Sequence, residues 1–165
     1  MPGAGGYDDG GETEMFRHEK TFCHQTAIAI RVEDTEDPAA LAAKVKEADA
    51  YSIERVGEHL HLNAFCLSNT SRNPERFLAA LKVVTENSSK AVMLDCPDPN
   101  TVKAALAVLE GRNPIVYPGE ADPSLFVETA RERHAGLVVS AKSFDDLAAC
   151  TEQIIQADFK DLLIE

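Results

Sequence analysis

The sequence predicts an α/β fold of the (β/α) TIM-barrel type, incomplete at about six of eight units. Short apolar runs of strand character alternate with amphipathic helical segments through most of the chain. Helices open on the same local signature, Asp or Asn followed by Pro, at 37–38, 73–74, 98–99 and 122–123, and Ser143 opens a fifth. These cap positions are separated by 36, 25, 24 and 21 residues. The later spacings suit a strand, a tight loop, a helix and a short return. Sequential parallel strands with right-handed crossovers place their helices on one side. Continued, that winding closes into a barrel, whose full form takes eight strands and about 250 residues. A doubly wound open sheet is the competing architecture, and it requires the chain to switch sides.

The unit at Ala91–Tyr117 shows the pattern most completely. Ala91–Leu94 is a short apolar strand. Asp98 offers a side-chain oxygen to the free N–H groups of the helix that follows, and Pro99 fits the first helical position, where its missing N–H costs nothing. Val102, Leu106 and Leu109 recur at i, i+4 and i+7 and form one apolar helix face. Gly111 can take the left-handed conformation beyond the helix end, and Pro114–Tyr117 begins the next strand.

The other elements follow in order. Met1–Glu12 is Gly-rich and acidic and reads as a flexible lead or linker remnant; residues 13–165 form the barrel domain, apparently cut short at its C-terminal side because the chain stops at the end of a strand. Met15 and Phe16 close a candidate short strand. Ala27–Val32 is nearly all apolar, as expected of a strand covered on both faces. Asp37-Pro38 opens a helix with Leu41, Val45 and Ala48 on one face. Tyr51–Val56 alternates and is an extra strand or a loop, broken by Gly57. Leu62–Leu67 is the next core strand, and Asn73-Pro74 opens a helix with Phe77, Leu81 and Val84 inward. Asp122-Pro123 opens a helix to about His134, closed by Gly136. Leu137–Ser140 is a strand. Ser143 and Asp146 resemble a capping box before a helix that turns Leu147, Ile154 and Ile155 inward, and Asp161–Ile164 is the last strand.

Composition bounds the function. The 165 residues are 44% hydrophobic, enough for one domain with a real core, and carry a net charge of −12. That charge argues against nucleic acid and anionic lipid, whose phosphates need cationic contacts. No apolar run is long enough to span a bilayer, and the N-terminus lacks the basic start and apolar stretch of a signal peptide, so a cytoplasmic protein is expected. Cys23, Cys66, Cys96 and Cys150 are widely separated with no C-x-x-C pair. They lack zinc-site or cluster spacing and read as reduced thiols.

Barrel chemistry sits at the C-terminal ends of the strands. Those ends supply the rim candidates Asp34, Asn69, Asp95 and Glu120, an acidic set suited to a cation or a basic partner, or simply to capping and solvated loops. Arg17, His18, Glu19 and Lys20 form the densest polar cluster outside the helices and are candidates for a partner surface, a lid over the barrel, or a salt-bridged entry strand. His59 and His61, two apart, would share a strand face, but no third metal ligand is identifiable. No catalytic Ser/His/Asp or Cys/His set can be assembled, and no Gly-rich phosphate loop is present.

The segments FRHEKTF at 16–22 and AIAIRVED at 27–34 resemble the start of the barrel domain in the large (gamma) subunit of the corrinoid iron–sulfur protein of the carbon monoxide dehydrogenase/acetyl-CoA synthase system. ERVGE at 54–58, NPIVY at 113–117 and SFDDLAACTE at 143–152 are similar to that family too. The resemblance covers Glu12–Glu165. It implies a part in methyl transfer from a methyl-pterin to acetyl-CoA synthase in the reductive acetyl-CoA pathway. It also implies that the cobamide and the iron–sulfur cluster of the parent protein belong to segments absent here, so this chain binds no cofactor and is not catalytic alone. The implied partners are the corrinoid protein small subunit, the methyltransferase and acetyl-CoA synthase. The alternatives are a standalone pterin-binding, methyltransferase-like barrel, in which Asp95 and Asn69 would hydrogen-bond the pterin, and a non-catalytic assembly module with two open sheet edges.

Overall fold

The computed structural model describes residues 26–55 and 57–165. Six parallel strands form one sheet: β1 (Ala29–Glu33), β4 (Ala64–Ser68), β5 (Ala91–Asp95), β6 (Ile115–Tyr117), β7 (Gly136–Val139) and β8 (Leu162–Ile164). Their order across the sheet follows the chain, β1-β4-β5-β6-β7-β8. A doubly wound sheet would reverse direction partway, so the sequential order excludes it. The remaining strands, β2 (Ser52–Arg55) and β3 (Glu58–His61), pair antiparallel as a separate hairpin, which resolves the alternating segment after Tyr51 as a strand. Gly57 turns that hairpin at φ +81°, a backbone region that suits glycine.

The helices are α1 (Pro38–Ala50), α2 (Pro74–Asn87), α3 (Pro99–Val108), α4 (Val127–Glu132) and α5 (Phe144–Gln156). Asp37, Asn73 and Asp98 cap the first three through side-chain oxygens that accept from N–H groups two or three residues on, with Pro at the first position. Asp122 caps in the same way, but the segment begins as a 3-10 turn, Pro123–Phe126, before α4. Ser143 Oγ accepts from Asp146 N at 3.1 Å, so Ser143 caps as expected, but it donates its hydroxyl to Asp146 Oδ2 at 2.6 Å where a capping box would use the Ser143 backbone N–H.

The core lies between the sheet and the helices. Val32, Leu67, Leu94, Val116 and Leu137 occupy one register row across five strands, and all five are essentially inaccessible to solvent. Phe65, Val92 and Val139 lie on the same face. Against them pack Leu41 and Val45 of α1, Phe77, Leu81 and Val84 of α2, and Val102 and Leu106 of α3. Each such side chain, fully buried, stabilises the fold by about 1.5–3 kcal/mol.

Two expectations are corrected. β1 is not covered on both faces: Ile28 and Ile30 are 43% and 36% exposed, and among the described residues β1 is an edge of the sheet with β4 beside it. On α5, Ile154 is buried and Leu147 packs on the core, but Ile155 is 48% exposed. One residue turns a helix by about 100°, which carries Ile155 off the face that Ile154 places against the sheet.

Gly136 does not close the helix after Asp122, where His134 takes the left-handed position at φ +52°; it opens β7, where a Cβ would stand 3.3 Å from Leu163 Cδ1 and 3.7 Å from Ile115 Cγ1. Gly136→Ala asks only the exposed end of the Leu163 side chain to give by a few tenths of an ångström, and the entropy the substitution removes from the unfolded chain offsets that cost. Urea unfolding followed by circular dichroism is expected to show a midpoint close to that of the parent chain with an unchanged slope.

Candidate functional site

Parallel pairing in register brings the last residues of four neighbouring strands into one row. Glu33 ends β1, Ser68 ends β4, Asp95 ends β5 and Tyr117 ends β6, and each pairs with the next across the sheet. Side chains alternate along a strand. Because Val32, Leu67, Leu94 and Val116 turn to the helices, their successors turn to the opposite, inner face. The row two residues earlier on that face is Arg31, Cys66, Met93 and Ile115.

These two rows form a connected polar cluster on an apolar floor. Ser68 Oγ donates to Asp95 Oδ2 at 2.6 Å. The Arg31 guanidinium stands 3.6 Å from the same oxygen, with its side chain 63% exposed. Such an exposed pair is worth little to stability, so its interest is positional. The Glu165 carboxylate beside the Tyr117 hydroxyl, with partial burial and the Asp95 charge, pushes the phenol up to about 12. Cys66 is pushed up to about 11, first by burial and then by the Asp95 charge, against the opposing pull of Arg31 and Ser68.

The sequence-predicted rim residues divide among three roles. Asp95 stands at the centre of the cluster. Asp34 is buried and accepts from Ser71 N at 2.9 Å and Ser71 Oγ at 2.5 Å, bracing the loop after β4. Asn69 is 8% exposed; its N–H donates to Asp95 O and its Nδ2 contacts Cys96 Sγ at 3.1 Å, while its Oδ1 has no partner among the described residues. Glu120 is exposed on the loop after β6. Arg17, His18, Glu19 and Lys20 lie outside the described residues. Arg31 and Tyr117 were not singled out from sequence, although the alternation of β1 and β6 carried the signal: each sits one residue beside a core position.

His59 and His61 do share a face of the hairpin, opposite Glu54 and Ser52. Among the described residues no group of three or more His, Cys, Asp or Glu is arranged to hold a metal. Among the described residues, Cys66 on the inner face, buried Cys96 and Cys150 on α5 stand on separate elements. No helix among the described residues is long and apolar enough to cross a membrane.

Two measurements test this electrostatic picture. Ultraviolet titration is expected to show Tyr117 ionising near pH 12, with Glu165→Gln drawing the midpoint back toward about 10. The folded phenol holds its proton more tightly than the unfolded one, so its stabilising contribution is complete below about pH 10 and is lost as pH rises toward about 12. Alkylation at pH 8, followed by mass spectrometry, is expected to find Cys66 modified about a hundredfold more slowly than an unhindered thiol.

Comparison with known proteins adds the lineage. The family described as CO dehydrogenase/acetyl-CoA synthase delta subunit matches residues 8–165. The corrinoid/iron-sulfur protein large subunit of Moorella thermoacetica is 32% identical over 157 residues, which cover 94% of this chain and 35% of that protein. The acetyl-CoA decarbonylase/synthase complex subunit gamma 2 of Methanosarcina mazei is 33% identical over 158 residues, covering 94% of this chain and 34% of its own length. The chain thus spans about a third of these relatives. Among solved structures, dihydropteroate synthase from Xanthomonas albilineans superposes with a TM-score of 0.61 at 14% identity, covering 88% of this chain and 60% of that one. The enzyme from Thermus thermophilus gives 0.56 at 14% identity, covering 84% and 57%. That likeness shows a TIM-barrel type of fold and nothing more. The match over residues 8–165 establishes that the chain belongs to the family described as CO dehydrogenase/acetyl-CoA synthase delta subunit.

Proposed function

We propose that the chain is the barrel scaffold of a corrinoid iron–sulfur methyl-carrier subunit, working by docking rather than by chemistry of its own. The observation that carries this reading is the match along residues 8–165 to a subunit family of the acetyl-CoA synthase system. In this reading the cobamide and the iron–sulfur cluster are carried by other parts of the assembly. The barrel holds the corrinoid protein small subunit, and through it the methyltransferase and acetyl-CoA synthase, in the geometry that methyl transfer from a methyl-pterin requires. Its setting is cytoplasmic and anaerobic.

Physical features support a docking role. β1 and β8 are edge strands of the parallel sheet, and an unpaired strand edge presents free N–H and C=O groups. Ile28 just before β1, Ile30 within it, and Leu163 and Ile164 of β8 are exposed apolar side chains at those same edges.

Light scattering on the purified chain, alone and mixed with the small subunit of the Moorella thermoacetica corrinoid protein, tests the reading. A complex of defined mass is expected. A monodisperse chain that gains no mass from the small subunit at micromolar concentration would overturn the scaffold role.

A further inference from the structure

The β2–β3 hairpin stands apart from the six-stranded sheet. All four residues of β2 are exposed, Ile53 by 44%, and among the described residues the hairpin is a sheet of two strands. Two short strands alone are marginal in water, and a third strand or an apolar covering is what makes such a unit stable. The register sets Ile53 opposite Leu60 on one face and Glu54 opposite His59 on the other. On the side away from β2, the N–H and C=O groups of β3 have no strand beside them among the described residues.

The chain that leads into β1 starts from the base of this hairpin. Ile28 N donates to Asn63 Oδ1 at 2.8 Å, and Asn63 N donates to Ile28 O at 2.8 Å. Asn63 lies two residues beyond the end of β3 at His61. From that point β1 runs beside β4, the strand that β3 leads into. Upstream, the sequence MFRHEKTF at 15–22 alternates with a period of two. Phe16, His18, Lys20 and Phe22 fall on one side of an extended chain, and Met15, Arg17, Glu19 and Thr21 on the other. The six steps from Phe22 to Ile28 reach about 20 Å, and β3 is about 13 Å long. The stretch can therefore lie along the whole of β3.

We propose that residues 15–22 of the same chain dock on the free edge of β3 as a third strand, with the phenylalanines on the face of Ile53 and Leu60. The added strand satisfies the open N–H and C=O groups of β3 and covers its apolar pair. Arg17 and Glu19 then share the other face with Glu54 and His59, where charges of both signs alternate. Charge favours an occupant from this chain: the stretch holds Arg17 and Lys20 against Glu19 alone, in a chain of net charge −12. The hairpin precedes β4 and so stands at the N-terminal rim of the sheet, opposite the strand ends that hold Asp95. The motif at 16–22 thus completes the far rim and leaves the strand-end cluster uncovered. This inference stands apart from the scaffold role, because it concerns the chain alone and its test uses no partner.

The test is nuclear magnetic resonance on the isotopically labelled full chain. Cross-strand Overhauser contacts are expected between residues 15–22 and β3. The β3 amides that point away from β2 are expected to exchange with solvent about tenfold faster in the double variant Phe16→Asp/Phe22→Asp than in the parent chain. Exchange in β5 is expected to stay the same, which shows that the sheet remains folded. Ile53→Asp, at an exposed position of the hairpin, gives a second reading in which the contacts to 15–22 weaken and β5 is again unaffected. Mixing labelled with unlabelled chains tells the chain's own segment from that of a second copy, and contacts within one chain are expected. The proposal is overturned if residues 15–22 make no contact with β3, or if the β3 amides exchange equally fast in the parent and the double variant. Contacts that join differently labelled chains overturn it as well, since a second copy would then supply the strand.

Discussion

The rest of the molecule depends on the burial of one register row. Val32, Leu67, Leu94, Val116 and Leu137 lie side by side across five parallel strands, sealed under the helices. A side-chain period of two means that a one-residue slip in any strand would turn that row outward and bring polar residues into the core. Burial therefore locks the register, and register in turn decides what the other face presents. Ser68, Asp95 and Tyr117 meet because each is the immediate neighbour of a residue the core cannot release.

The helix starts supply the second constraint. An Asx side chain followed by Pro stops the strand-to-helix loop at a defined residue, since the cap satisfies backbone donors and Pro accepts only a helix-start geometry. Used at Asp37, Asn73, Asp98 and Asp122, it returns the chain to the same side of the sheet each time. Where the return is shortest the helix is weakest: the segment after Asp122 spends its first turn as a 3-10 helix and leaves only six residues for α4.

Two kinds of likeness meet in this chain and carry different weight. At 32–33% identity along nearly its whole length, the corrinoid/iron-sulfur and decarbonylase/synthase subunits share its lineage. At 14% identity the dihydropteroate synthases share its winding alone, which physics of the parallel sheet makes available to unrelated sequences. The exposed apolar residues at β1 and β8 lie at the two edges of the described sheet. The polar strand ends belong to the geometry of the second, since any such winding delivers strand termini to one rim.

The sequence by itself determined the elements and their order. Cap chemistry and apolar spacing are local, and they marked every core strand within one or two residues, the inward faces of α1, α2 and α3, and the family through the motifs at 16–22 and 27–34. It also named Asp95. The tertiary structure alone decided which strand ends are neighbours, that Asp34 braces a loop and Asn69 is largely buried, and that Arg31, Ser68 and Tyr117 join Asp95. It decided too that Ile30 and Ile155 stay exposed, against their apolar character. The reason is physical: hydrogen-bonded register and edge position are set by contacts between segments about 20–30 residues apart, and no local pattern of residues records which face of a strand its neighbours will cover.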